Sequence, residues 1–197
     1  MKKTLSLILA LVMCLCVCCA GLAETQAAEE AAGMEMFLAM MQQIPGMDKI
    51  DWVAFGEEFA AKQASGAEIT LEDCLPAEAW AIAGAMMFMD ENGQTQEDTG
   101  MEVDIQVKRN DMATVYKLKE QADEAAAKQI ADSVTASFES NESLLTIKSS
   151  IEQMAGAGID INKVTMTLKF LNADDSVIYE KTVSYDDVKD LEAAPAA

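Results

Sequence analysis

A chain of 197 residues with 34 acidic and 14 basic side chains, no histidine and a formal charge of −20 cannot use histidine as a catalyst or metal ligand, and its charge sets it against nucleic acid. A hydrophobic fraction of 51% is high for so acidic a chain, which excludes wholesale disorder and predicts a packed core.

Lys2 and Lys3 precede an apolar run from Leu5 to Cys19, and Ala20, Gly21, Leu22 and Ala23 follow before Glu24. Charged, apolar and small-residue regions in that order are the plan of a secretory signal peptide, with Gly21 and Ala23 suited to the small pockets of a signal peptidase. Cleavage after Ala23 is the expectation. Two alternatives stay open: an uncleaved anchor over the 18 residues from Leu5 to Leu22, and a lipid anchor on Cys18 or Cys19. Cleavage removes four of the five cysteines, so Cys74 remains alone and forms no internal disulfide. Its acidic neighbours Glu72 and Asp73 raise a thiol pKa, which favours a small packed side chain over a reactive one.

Residues 24–33 read as an Ala/Glu-rich spacer. Met34, Phe37, Leu38 and Met41 then recur at helical spacing up to Ile44, where Pro45 and Gly46 stop the pattern. Trp52, Phe55 and Phe59 make a second helical stripe, broken at Ser65 and Gly66. Thr70 with Asp73 has the form of an N-terminal cap, and Pro76 opens a third run through Met89. The polar stretch from Asp90 to Gly100 is a loop.

From Met101 to Val107 apolar and polar residues alternate, the period of a half-buried strand. A turn at Asn110 and Asp111 leads into a return strand from Met112 to Lys119. Helical spacing resumes over 121–155, faltering at the polar run Ser140, Asn141, Glu142 and Ser143, where a kink or break is expected, and ending at Gly156 and Gly158. Val164, Met166, Leu168 and Phe170 share one face of a further strand. Residues 172–176 turn the chain, and Val177, Tyr179, Val183 and Tyr185 line the return. The order hairpin, helix, hairpin predicts an α+β fold: an antiparallel sheet of two hairpins (β-β-α-β-β) with a long kinked or broken helix on one face, preceded by short helices. The divisions are 1–23 signal peptide, 24–33 spacer, 34–100 helical segment with acidic loop, 101–185 α+β domain and 186–197 disordered acidic, Ala/Pro-rich tail.

The charge is uneven. Once Lys2 and Lys3 are removed the net is −22, with −16 up to Asp104 and −6 after it.

The span from Met101 to Tyr185, with its opening alternation through Ile105, its return through Val115 and Tyr116, its Ala-rich helix through Phe138 and its closing strand from Val164 to Asp174, resembles a domain of unknown function. That family occurs in secreted and lipid-anchored proteins of Gram-positive gut bacteria. The resemblance implies export and the α+β fold, and carries no catalytic residue across. This chain departs from it at Asp174 and Asp175, where the family tends to have Asp-Gly; a non-glycine residue at positive φ costs about 1 kcal/mol.

Candidate chemistry is thin. No nucleophile motif or phosphate-binding glycine loop is present, so no catalytic residue and no cofactor is assigned. Asp90 and Asn92 begin like a calcium loop, but glycine stands at the fourth place and Met101 at the twelfth, so a solvated acidic loop is the better reading. Twelve methionines remain after cleavage, among them Met34, Met36, Met40, Met41, Met86, Met87 and Met89; thioethers suit Cu(I), but at helical spacing beside Phe37 and Phe88 they fill a core. Trp52, Phe55 and Phe59 offer a peptide groove if exposed and a core stripe if buried, and burial is the expectation. The expected function is that of an exported, non-enzymatic interaction or scaffold module, with a small-ligand or metal-binding protein as the alternative. An envelope protein or peptide is the expected kind of partner, nucleic acid is not, and a membrane is reached only through an uncleaved or lipidated N-terminus.

Overall fold

The computed structural model describes residues 44, 46–86 and 100–192. The expected signal peptide, the spacer 24–33, the helix expected from Met34, and the acidic loop from Asp90 to Thr99 lie outside the described residues.

Helix α1 (Trp52–Ala64) starts where the Asp51 carboxylate accepts the Ala54 amide at 3.0 Å. Trp52 and Phe59 fall on its buried side and Phe55 is half-buried, so the aromatic stripe is core rather than an open peptide groove. The Trp52 indole donates to the Met47 carbonyl at 2.9 Å, which satisfies the one polar atom that this burial takes from water. Thr70 and Asp73 do form a reciprocal cap, on the short 3-10 turn Leu71–Cys74, and the next helix, α2 (Ala77–Met86), opens immediately after Pro76.

Strands β1 (Met101–Lys108) and β2 (Asp111–Leu118) form the first hairpin, and β3 (Thr165–Leu171) and β4 (Val177–Ser184) the second. Between them lie α3 (Glu124–Phe138) and α4 (Asn141–Met154). The break comes at Glu139 and Ser140, and the Ser140 hydroxyl accepts the Ser143 amide at 3.2 Å, so the polar run ends one helix and caps the next. Gly158, at φ 82, closes the helical region in the left-handed conformation that glycine adopts without strain.

The architecture is the α+β one, with one correction to the sheet. Its order is β1-β2-β3-β4, and while both hairpins are antiparallel, β2 and β3 run parallel, so the sheet is mixed. The two strands are joined not by a tight turn but by a connection that holds both α3 and α4, long enough to return the chain to the end from which β2 began. Asp111 therefore faces Thr165, and the Thr165 amide donates to the Asn110 carbonyl at 3.0 Å.

Two further corrections are local. The first turn is Arg109–Asn110, one residue earlier than expected, because Arg109 takes φ 54 and Asp111 already pairs with Lys108. Of the expected tail 186–197, residues 193–197 lie outside the described residues, and the stretch through Leu191 is ordered: α5 (Tyr185–Val188) buries Val188, and the Lys148 ammonium donates to the Lys189 and Leu191 carbonyls at 2.7 and 2.9 Å. Apolar Val188 and Leu191 recur among the acids, and their burial outweighs the charge around them.

A single apolar core unites the two halves of the chain. Met47, Trp52, Phe59, Leu71 and Leu75 from the helical segment pack in one cluster with Ile105, Ile147, Ile151, Val164 and Val183 from the sheet and its helices.

Candidate functional site

Strand register sorts the sheet residues onto two faces, since directly paired residues project to the same side. On the inner face, Val107, Met112, Met166 and Val183 form one row and Val103, Tyr116, Phe170 and Tyr179 another. Tyr116 and Phe170 stack with ring centroids 4.7 Å apart. On the outer face, Gln106, Ala113, Thr167 and Thr182 form a row, and Asp104, Val115, Lys169 and Glu180 the next. None of these outer residues belongs to the apolar core, and Asp104, Gln106, Glu180 and Thr182 are exposed. The outer side is thus a polar, open sheet surface, tied internally by the Thr167–Thr182 hydroxyl pair at 2.8 Å and the Lys169–Glu180 ion pair at 3.1 Å.

A set of polar contacts joins the helical segment to the first hairpin. The Glu72 amide donates to the Arg109 carbonyl at 2.8 Å, and the Arg109 amide donates to the Glu72 carboxylate at 2.8 Å. Buried Asn110 accepts the Leu71 amide through Oδ1 at 3.0 Å. Glu68 accepts from Lys163 at 2.6 Å and from Arg109 at 3.1 Å, joining the hairpin turn to the 3-10 turn Ile161–Lys163. The second hairpin turn repeats the device: buried Asn172 accepts the Ala122 amide at 2.8 Å and returns a hydrogen bond to the Ala122 carbonyl at 3.0 Å.

The Lys163 hydrogen bond and charge hold the Glu68 carboxyl below the usual carboxylate range. Burial pushes Asp73 up, but hydrogen bonds from Lys62 and Thr70 outweigh it and leave it lowered. Hydrogen bonds from Ser176 lower Asp174, and those from Ser184 lower Asp187. Burial pushes the Tyr116 phenol up to about 12, and burial together with Glu139 does the same for Tyr179. Hydrogen bonding to Glu68 raises Lys163. Near pH 7 the lowered carboxylates and the raised lysine are therefore charged, and the two raised tyrosines are neutral.

The residues singled out in the sequence fare differently. Cys74 is buried, its thiol 3.5 Å from the Thr70 carbonyl, as a packed side chain. Met34, Met36, Met40, Met41, Met87 and Met89 and the calcium-like loop lie outside the described residues. Among the described residues no group of three or more Cys, Asp and Glu side chains is placed to share a metal ion, and no helix is long and apolar enough to cross a membrane. Glu68, Arg109 and Lys163 were not foreseeable as a set, because Glu68 and Lys163 are 95 positions apart. Asn110 and Asn172 did carry a signal, as turn asparagines whose side chains can bond to backbone.

A family model described as a domain of unknown function (DUF4854) matches residues 85–183, which takes in both hairpins and the two helices between them. No curated protein and no solved structure matches the chain.

Proposed function

Starting from the finding that this chain belongs to the DUF4854 family, we propose that it is an exported, non-enzymatic interaction module that meets its partner on the open side of its sheet. The observation that carries the reading is the two-sidedness of the sheet: one face is spent on the core, while the other presents ordered, mutually satisfied polar groups to solvent. The signal-like order of Lys2, Lys3, the apolar run and Ala23 supports export.

Two measurements test this. Expression of the whole chain in a Gram-positive host, followed by N-terminal mass spectrometry, is expected to give a chain beginning at Glu24 outside the cytoplasm; a full-length cytoplasmic chain refutes export. Affinity capture from the cell envelope is expected to recover a partner that is lost when Thr167→Arg disrupts the open face. Recovery unchanged by T167R, with the variant folded, refutes the assignment of the surface.

A further inference from the structure

We propose that the open face of the sheet pairs with the same face of a second copy of this chain, about a two-fold axis that lies between the two sheets and runs across their strands. The inference rests on the interaction reading above and names the occupant of that face. Strand register adds a row at each end of those already described: Lys108, Asp111, Thr165 and Ser184 beside the Arg109–Asn110 turn, and Glu102, Lys117 and Leu171 at the other end. Lys108 and Glu102 thus stand at opposite ends of β1, both exposed and neither held in an ion pair among the described residues. On β2 the order is reversed, with acidic Asp111 at the first end and basic Lys117 at the other.

This pattern is complementary to itself. A two-fold across the strands sets each strand antiparallel to its own copy, so Lys108 of one chain meets Glu102 of the other and Asp111 meets Lys117, each contact occurring twice. Near the axis Ala113 meets Val115, small half-buried side chains that let two sheets approach to the usual spacing of about 10 Å. Stacked sheets keep their strand directions within about 30° of each other, an offset that lysine and glutamate side chains span. A two-fold along the strands instead lays β1 on β4 and opposes Asp104 to Glu180, so charge chooses between the two orientations.

The face is nearly balanced in charge. Its four rows set three lysines against four carboxylates, on a chain that carries −20 as a whole. Repulsion between the remaining charges is screened beyond about 8 Å at physiological ionic strength, while the opposed pairs act in contact. Lys117 is engaged by Asp175 at 2.6 Å, Lys169 by Glu180 at 3.1 Å, and Asp111 accepts from Thr165 at 2.6 Å, so Lys108 and Glu102 carry most of the selection. Four strands of about eight residues present roughly 500 Å², against about 800 Å² on each side of a standard interface, which makes the dimer a weak one, in the micromolar range.

Sedimentation equilibrium of the chain recovered from the expressing host, at about 0.15 M salt and from about 1 to 500 μM, is expected to show reversible dimerisation. Because the two-fold doubles each contact, Lys108→Glu or Glu102→Lys replaces two attractions with two repulsions and is expected to weaken the dimer about thirty-fold. Both changes in one chain restore the opposed pairs and with them the dimer, and a mixture of the two single variants forms a heterodimer. Inside one sheet the same changes act otherwise, since Lys108 lies directly opposite Asp111 and Glu102 opposite Lys117. The double variant therefore adds the two single costs in a melting curve while it recovers dimerisation. A monomer throughout the range, a dimer indifferent to the single changes, or a double variant that associates no better than the singles overturns the proposal, with circular dichroism confirming that each variant is folded. Envelope capture sensitive to T167R in the face of any such result leaves the broader interaction reading standing.

Discussion

Leu71→Ala tests whether the helical segment and the sheet are one cooperative unit. Leu71 is 0% exposed and lies in the core that also holds Ile105 and Ile151. Truncation removes buried methyl groups and leaves a cavity, at a cost of about 2–5 kcal/mol. For a chain of this size that lowers the melting temperature by roughly 6–15 °C. The two tryptophans, Trp52 and Trp80, both lie in the helical segment, so their fluorescence follows that part, while far-UV circular dichroism follows the sheet and its helices as well. One shared core requires both signals to shift together by the same amount. A fluorescence transition that moves while the dichroism transition stays would falsify the single-core account. Val53→Ala, at a 60% exposed site on α1, serves as the control and is expected within about 0.5 kcal/mol of the parent.

Asn172→Ala removes both hydrogen bonds to Ala122 and strands two partly buried backbone groups, so urea unfolding is expected to show a loss of about 2–3 kcal/mol. Asp175 sits at φ 67 and pairs with Lys117 at 2.6 Å; Asp175→Ala keeps the strain and loses the pair, costing up to about 1 kcal/mol, while Asp175→Gly relieves the strain and stays within about 0.5 kcal/mol of the parent in the same assay. Glu68 is held below its ordinary pKa of 4.5 by Lys163, so its contribution to stability is present above that ordinary value and is lost as pH falls through the lower folded one. Glu68→Gln is accordingly expected to flatten the melting-temperature profile on the acid side of pH 4.5 and to leave its shape near pH 7 unaltered.

Much of the fold was legible because it rests on local rules. The alternation in Met101–Lys108, the helical stripe through Trp52 and Phe59, the polar interruption at Ser140 and the turn at 172–176 are each set by residues adjacent in sequence. The family likeness lay in the same stretch, and the family model that matches residues 85–183 agrees with it. The ordered stretch 186–191 is not foreseen because composition averages over Val188 and Leu191, and it is those two apolar residues among the acids that dock. The set Glu68, Arg109 and Lys163 was missed because nothing local distinguishes a charge that will find a partner from one that stays in solvent.

The −20 charge and the absence of histidine were complete in the sequence, and the two hairpins and the helices before Tyr185 were legible there to within a residue at the first turn, because short-range sterics and hydrophobic period act within a few residues. Which way the hairpins joined was not. The parallel meeting of β2 and β3, the closing of Leu71 and Glu72 over the Arg109–Asn110 turn, and the division of the sheet into a covered and an open face all depend on where a 46-residue connection returns, from Lys119 to Val164. That return is decided by the burial of Ile147, Ile151, Val164 and Val183 against one another, a free energy that exists only once distant segments share the same core.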